Sequence, residues 1–92
     1  MAVSRAERRK DRTPKVVAVF GNDRAPFALD LLELAELAWH DCYGEVTPPE
    51  DVIDDMLLLS EGSIEQLIQA TRLGVSDRRD LKVAADEIRN RS

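Results

Sequence analysis

Residues 44–66 read GEVTPPEDVIDDMLLLSEGSIEQ. Within this stretch Thr47-Pro48-Pro49-Glu50 has the form of a capping box, a hydroxyl residue followed three places on by a glutamate, with proline where a first helical turn tolerates it. From there Val52, Ile53, Met56, Leu57 and Leu59 or Ser60 recur at helical spacing, while Glu50, Asp51, Asp54 and Asp55 place negative charge where the helix dipole favours it. Gly62 closes the pattern, and Ser63 with Gln66 opens a second capping box. A helix over 48–60 followed at once by another over 64–73 predicts an all-α chain.

Downstream, Ile64, Leu67, Ile68 and Thr71 share one side up to Gly74, and Ser76 is placed to cap a last helix over 77–89 whose apolar positions are Leu81, Ala84, Ala85 and Ile88. Upstream, Asp23 before Pro26 signals the start of a helix over 26–43, and Gly44 suits its end. Phe27, Leu31, Leu34, Ala35 and Ala38, widened by Leu32, Trp39 and Cys42, form its apolar face; Asp30, Glu33, Glu36, His40 and Asp41 form its polar side. Val16 to Phe20 is a β-branched run with no partner strand, which either packs as an extended arm, continues a helix or pairs with its copy in a dimer; an extended segment docked on the helices is the favoured reading. Residues 1–14 are dense in charge, lack apolar periodicity and end at Pro14, which predicts a disordered basic arm. The expected fold is therefore a small bundle of about four short helices in one domain over 15–92, preceded by an extended, partly disordered basic arm over 1–14.

Composition agrees with this reading. Ninety-two residues are too few for two cores, and 43% hydrophobic with 34% charged residues is a globular balance. Aromatics make up only 4%, so Leu, Ile, Val and Ala must fill the core. The single cysteine, Cys42, cannot form an intramolecular disulfide, no segment has the pattern of a secretion signal, and the apolar runs Val16 to Phe20 and Met56 to Leu59 are far shorter than a membrane span. The chain reads as cytoplasmic, with no membrane association.

The net charge of -5 conceals a segregation. Residues 1–22 carry six basic and two acidic side chains, residues 23–65 carry Arg24 against twelve acidic ones, and residues 66–92 carry six basic and four acidic. Charge distributed this way bears on partners rather than on fold. The basic arm either lies near the acidic helices of its own or a neighbouring chain, or serves as a binding arm.

Two functional readings follow. In the first, the chain is a non-enzymatic module that binds a protein partner or a second copy of itself, through the broad apolar faces of the helices over 26–43 and 48–60; the interface residues are Leu31, Leu34, Trp39, Tyr43, Met56 and Leu57. In the second, Ala70, Leu73, Gly74, Val75 and Ser76 resemble the turn of a bacterial helix-turn-helix domain, with Gly74 as the turn glycine, and the resemblance implies a DNA-binding regulator using the helices over 64–73 and 77–89. Arg8, Arg9, Lys10, Arg78, Arg79 and Lys82 would then contact nucleic acid, although Asp77, Asp80, Asp86 and Glu87 crowd the same helix and Asp80 stands where that family has an apolar anchor.

Trp39-His40-Asp41-Cys42-Tyr43 is the one cluster of reactive side chains. Glu33, Glu36 and His40 share helical spacing suited to a carboxylate and imidazole site, but one histidine and one cysteine leave a zinc shell short of ligands. Cys42 and His40, two apart on a helix, point in different directions and make a poor nucleophile and base. No residue is assigned to catalysis, to a metal or to a cofactor. Finally, the stretch from Leu31 through Trp39-His40-Asp41-Cys42-Tyr43-Gly44 and Thr47-Pro48-Pro49-Glu50 to Leu59 is similar to small uncharacterised helical proteins of GC-rich bacteria. That resemblance implies a helical fold and a bacterial cytosolic setting, and transfers no site.

Overall fold

A computed structural model describes residues 4–91. Five helices follow one another: α1 (Arg5–Phe20), α2 (Ala25–Tyr43), α3 (Glu50–Ser60), α4 (Ile64–Ser76) and α5 (Arg78–Arg91), with no strand among the described residues. The chain is all-helical, as its patterning predicts, with one helix more than the expected four. Residues 1–3 of the expected arm and Ser92 lie outside the described residues.

The additional helix corrects the reading of the N-terminal segment. Arg5 to Phe20 is a continuous 16-residue helix, so described residues of the expected disordered arm and the expected extended run Val16 to Phe20 belong to one element. Ser4 caps it, its hydroxyl accepting from the Glu7 amide at 3.2 Å. Pro14 sits in its interior, where it supplies no amide for the Lys10 carbonyl, while the neighbouring Thr13 hydroxyl donates to the Arg9 carbonyl at 2.7 Å. Val16 and Phe20, four apart, are buried and anchor its C-terminal half.

Other boundaries shift for local reasons. At the start of α3 the Thr47 hydroxyl makes no capping bond; Pro49 occupies the cap position, and Thr47 Oγ1 accepts instead from the Arg12 guanidinium at 2.9 Å. Arg24 rather than Asp23 stands at the cap position of α2, again without a side-chain bond. Ser63 does cap α4, its hydroxyl accepting from the Gln66 amide at 3.3 Å. Asp77, not Ser76, starts α5: its carboxylate accepts from the amides of Arg79 at 3.0 Å and Asp80 at 3.4 Å. Gly74 makes no turn. It is buried inside α4, where a Cβ would stand 3.0 Å from both Leu81 Cδ2 and Met56 Cε, so its missing side chain lets α4 close on α3 and α5.

α3, α4 and α5 pack on one another, α2 packs on α4, and α1 packs on α2. Between them lie Val16, Phe20, Leu29, Leu32, Trp39, Ile53, Met56, Leu67 and Leu81. Each such side chain stabilises the fold by about 1.5–3 kcal/mol through removal of apolar surface from water. At the end of α2 the Tyr43 hydroxyl donates to the Gly74 carbonyl at 2.8 Å, and the Trp39 ring, tilted 44° to that of Tyr43, donates through Nε1 to Glu45 at 2.8 Å. The Arg78 guanidinium lies 5.1 Å from the Trp39 centroid and closes this corner against α5. No helix is long and apolar enough to cross a membrane among the described residues.

Candidate interaction face on the second helix

The charges of α1 are spent inside the molecule. Arg5, Arg8, Arg9, Arg12 and Lys15 recur every three to four residues and so form one stripe along the helix. Opposite them stand the carboxylates of α2 and the first turns of α3. Arg8 holds Glu36 with two bonds, Nε to Oε2 at 2.6 Å and a terminal nitrogen to Oε1 at 3.2 Å. Arg12 reaches the same Glu36 at 3.1 Å and Glu50 at 3.0 Å, and Arg5 approaches Glu36 at 3.5 Å. Arg9 bridges Asp30 and Glu33, each at 2.7 Å, while Lys15 bridges Glu50 at 3.0 Å and Asp54 at 2.8 Å.

Arg12 and Glu36 are buried to 3% and 2% exposure, so this pair has left water almost completely. Burial pushes the Glu36 carboxyl up, but the hydrogen bond from Arg8 and the charges of Arg8 and Arg12 outweigh it and hold the group below the usual glutamate value. The hydrogen bond to Asp54, ahead of the opposing cost of burial and the bond to Glu50, raises Lys15 above its usual value. At the far end of the bundle Arg89 of α5 meets the buried Asp55 of α3 at 2.6 Å. Every buried side-chain nitrogen and oxygen in the described residues finds a partner.

Beside these paired carboxylates, α2 also presents an apolar surface. Phe27, Leu34 and Leu37 on α2 are 65%, 63% and 50% exposed, and Val46 just beyond the helix is 66% exposed. Phe27 and Leu34 are seven residues apart, two helical turns, with the half-buried Leu31 and Ala38 completing a 4-3-4 spacing along one seam. Leu34 and Leu37 line a depression of about 340 Å³ with Arg5, Asp30 and Glu33, and a second one of about 230 Å³ joins Leu37 to Val46 beside Arg5, Glu36 and His40.

The sequence-predicted interface residues divide. Trp39, Met56 and Leu57 are core residues and present nothing to a partner; Leu31 and Tyr43 are half-buried, and Leu34 is exposed. Phe27, which the periodicity placed on the apolar face with Leu31 and Leu34, and Leu37 and Val46, which it did not single out, complete the exposed face. α2 has apolar residues on either side of its acidic stripe, so spacing alone does not choose the buried side; the 4-3-4 seam through Leu34 is the signal that marks a second apolar face.

Of the predicted nucleic-acid contacts, Arg8 and Arg9 are engaged with Glu36, Asp30 and Glu33, and Arg78 with Glu45 at 3.5 Å and the Trp39 ring. Lys10, Arg79 and Lys82 are exposed. Glu36 is taken up by arginines, and no three of His, Cys, Asp or Glu among the described residues group so as to hold a metal ion. Cys42 is an exposed free thiol. No family model, no curated protein and no solved structure matches the chain.

Proposed function

We propose that the chain is a non-catalytic helical interaction module that binds a polypeptide through the apolar face of α2. The observation that carries this reading is the group Phe27, Leu34 and Leu37, three large apolar side chains at least half exposed on one helix whose other side is already filled. An exposed apolar strip flanked by polar residues is the usual form of a protein-binding surface. A nucleic-acid reading has less support, because three of its six cations are occupied within the chain and the net charge is -5.

A photo-crosslinking amino acid placed at position 34 of the full chain, in the cells it comes from, tests this proposal. Adducts of defined mass, to the chain itself or to another protein, are expected at position 34 and absent at the exposed control position 79. Equal labelling at 34 and 79 overturns it.

A further inference from the structure

Resting on that reading, we infer that the occupant of the α2 face is a second copy of this chain, whose α2 crosses the first antiparallel about a twofold axis near Leu34. Three observations lead to this arrangement. First, the seam Phe27, Leu31, Leu34, Ala38 has the 4-3-4 spacing by which two helices interlock side chains, and a second copy presents the identical seam. About Leu34, Leu37 of one copy is level with Leu31 of the other, and Phe27 is level with the other copy's Asp41, one turn beyond Ala38.

Second, the charges select the direction. Asp30 and Glu33, on the edge of the seam, are already neutralised by Arg9, so closing it brings no bare carboxylates together. Arg24 at the start of α2 and Asp41 near its end are exposed and have no ion-pair partner among the described residues. A parallel pair would set Asp41 against Asp41 and Arg24 against Arg24. In the antiparallel pair each Arg24 lies within about three residues, or about 4.5 Å along the axis, of the other copy's Asp41, a distance an arginine side chain spans.

Third, the available area limits the association to a weak one. At about 150–200 Å² per large apolar residue, the fractional exposures of Phe27, Leu34, Leu37 and Val46 amount to about 400 Å² per copy. Two such patches total about 800 Å², below the about 1,200 Å² at which stable specific interfaces begin, which is the range of weak, reversible association.

The experiment is the molar mass of the full chain by light scattering and sedimentation from about 5 to 500 µM, on the native sequence and on Leu34→Asp. The native chain is expected to pass from monomer to dimer across this range. Leu34→Asp should weaken dimerisation at least tenfold while leaving the helical circular dichroism, and the melting at concentrations where both chains are monomeric, unchanged, because Leu34 is largely exposed.

Direction is read from disulfides under mild oxidation. In the antiparallel pair the two Cys42 residues are eight positions either side of the axis, about 24 Å apart, and cannot bond. Leu34→Cys in a Cys42→Ser background should crosslink readily and the native chain should not. A monomer at every concentration, a dimer that survives Leu34→Asp, or preferential crosslinking of Cys42 each overturns the inference. A monomeric chain whose position 34 still crosslinks to a different protein in cells leaves the interaction reading standing and removes only the second copy as occupant.

Discussion

Arginine 12 is the residue on which the docking of α1 depends, and Arg12→Met is the substitution that measures it. Methionine keeps most of the aliphatic stem and removes the guanidinium, which makes bonds to Glu36 at 3.1 Å, Glu50 at 3.0 Å and Thr47 at 2.9 Å. Glu50 is half exposed and regains water, so its lost pair costs little. Glu36 does not regain water. It keeps the two-point bond from Arg8, which reduces the cost below the about 3–5 kcal/mol of stranding a buried charge completely. A loss of about 2–3 kcal/mol follows, a substantial fraction of the about 5–14 kcal/mol that holds a domain of this size together. In thermal melts followed by circular dichroism it corresponds to a fall of at least about 10 °C. The double variant Arg12→Met with Glu36→Leu tests the cause: with both charges removed, the loss should be smaller than the sum of the two single losses by at least about 1 kcal/mol. Additive single effects, or a loss below about 0.5 kcal/mol for Arg12→Met, would refute the claim that this pair is coupled and buried.

Other outcomes follow from the same geometry. Removing residues 1–14 takes away Arg5, Arg8, Arg9 and Arg12 together with the turns of α1 that cover Glu36, so the truncated chain loses these charged bonds and should be less stable by about 2 kcal/mol; a melting point within 3 °C of the full chain, taken as about half a kcal/mol, contradicts this. Because the Glu36 carboxyl is held below its unfolded value, its contribution is fully present above about pH 4.3 and is lost as pH falls through the depressed folded value. Glu36→Gln should therefore remove part of the acid-induced loss of stability below about pH 4, seen as a flatter melting point against pH. Gly62 has φ +79° and its Cβ would stand 3.0 Å from the Val19 carbonyl oxygen, whereas Gly44 has φ +73° and open space around it. Alanine should cost about 1 kcal/mol at Gly44 and about 2 at Gly62, compared by urea denaturation; equal costs would show that the contact with α1 is not close.

The C-terminal half of the molecule is legible in the sequence because its signals are local. Ser63 caps α4 as its spacing to Gln66 indicates, and Gly44 ends α2 in the left-handed conformation that glycine permits. α1 escapes a search for apolar stripes because its periodic stripe is basic. Arg5, Arg8, Arg9, Arg12 and Lys15 have helical spacing, yet their ordering becomes favourable only against Asp30, Glu33, Glu36, Glu50 and Asp54, which the sequence places 21 to 39 residues away. Glu36 illustrates the same limit from the other side. A glutamate on a helix reads as solvated, and only two arginines from another helix make its burial affordable. Thr47 is a local signal that a distant residue overrides, since Arg12 takes the hydroxyl that the capping box would use. On α2 the difficulty is ambiguity, because apolar residues on both sides leave the choice of core face to the packing of α1 and α4.

The dependence of α1 on partners so far along the chain bears on the order in which the molecule assembles. Arg12 joins Glu50 across 38 residues and Lys15 joins Asp54 across 39, whereas α3, α4 and α5 are consecutive and meet through short connections. Loop closure of that length is unfavourable until both ends have something stable to meet, so the links from α1 to the start of α3 are expected to close after the contacts between consecutive helices. On unfolding the sequence reverses, and hydrogen exchange should find the amides of the charged half of α1 opening at lower free energy than those around Ile53 and Leu67. During synthesis Arg8 and Arg9 can meet Asp30, Glu33 and Glu36 as soon as α2 has emerged, whereas Lys15 stays without its carboxylates until Glu50 and Asp54 have followed.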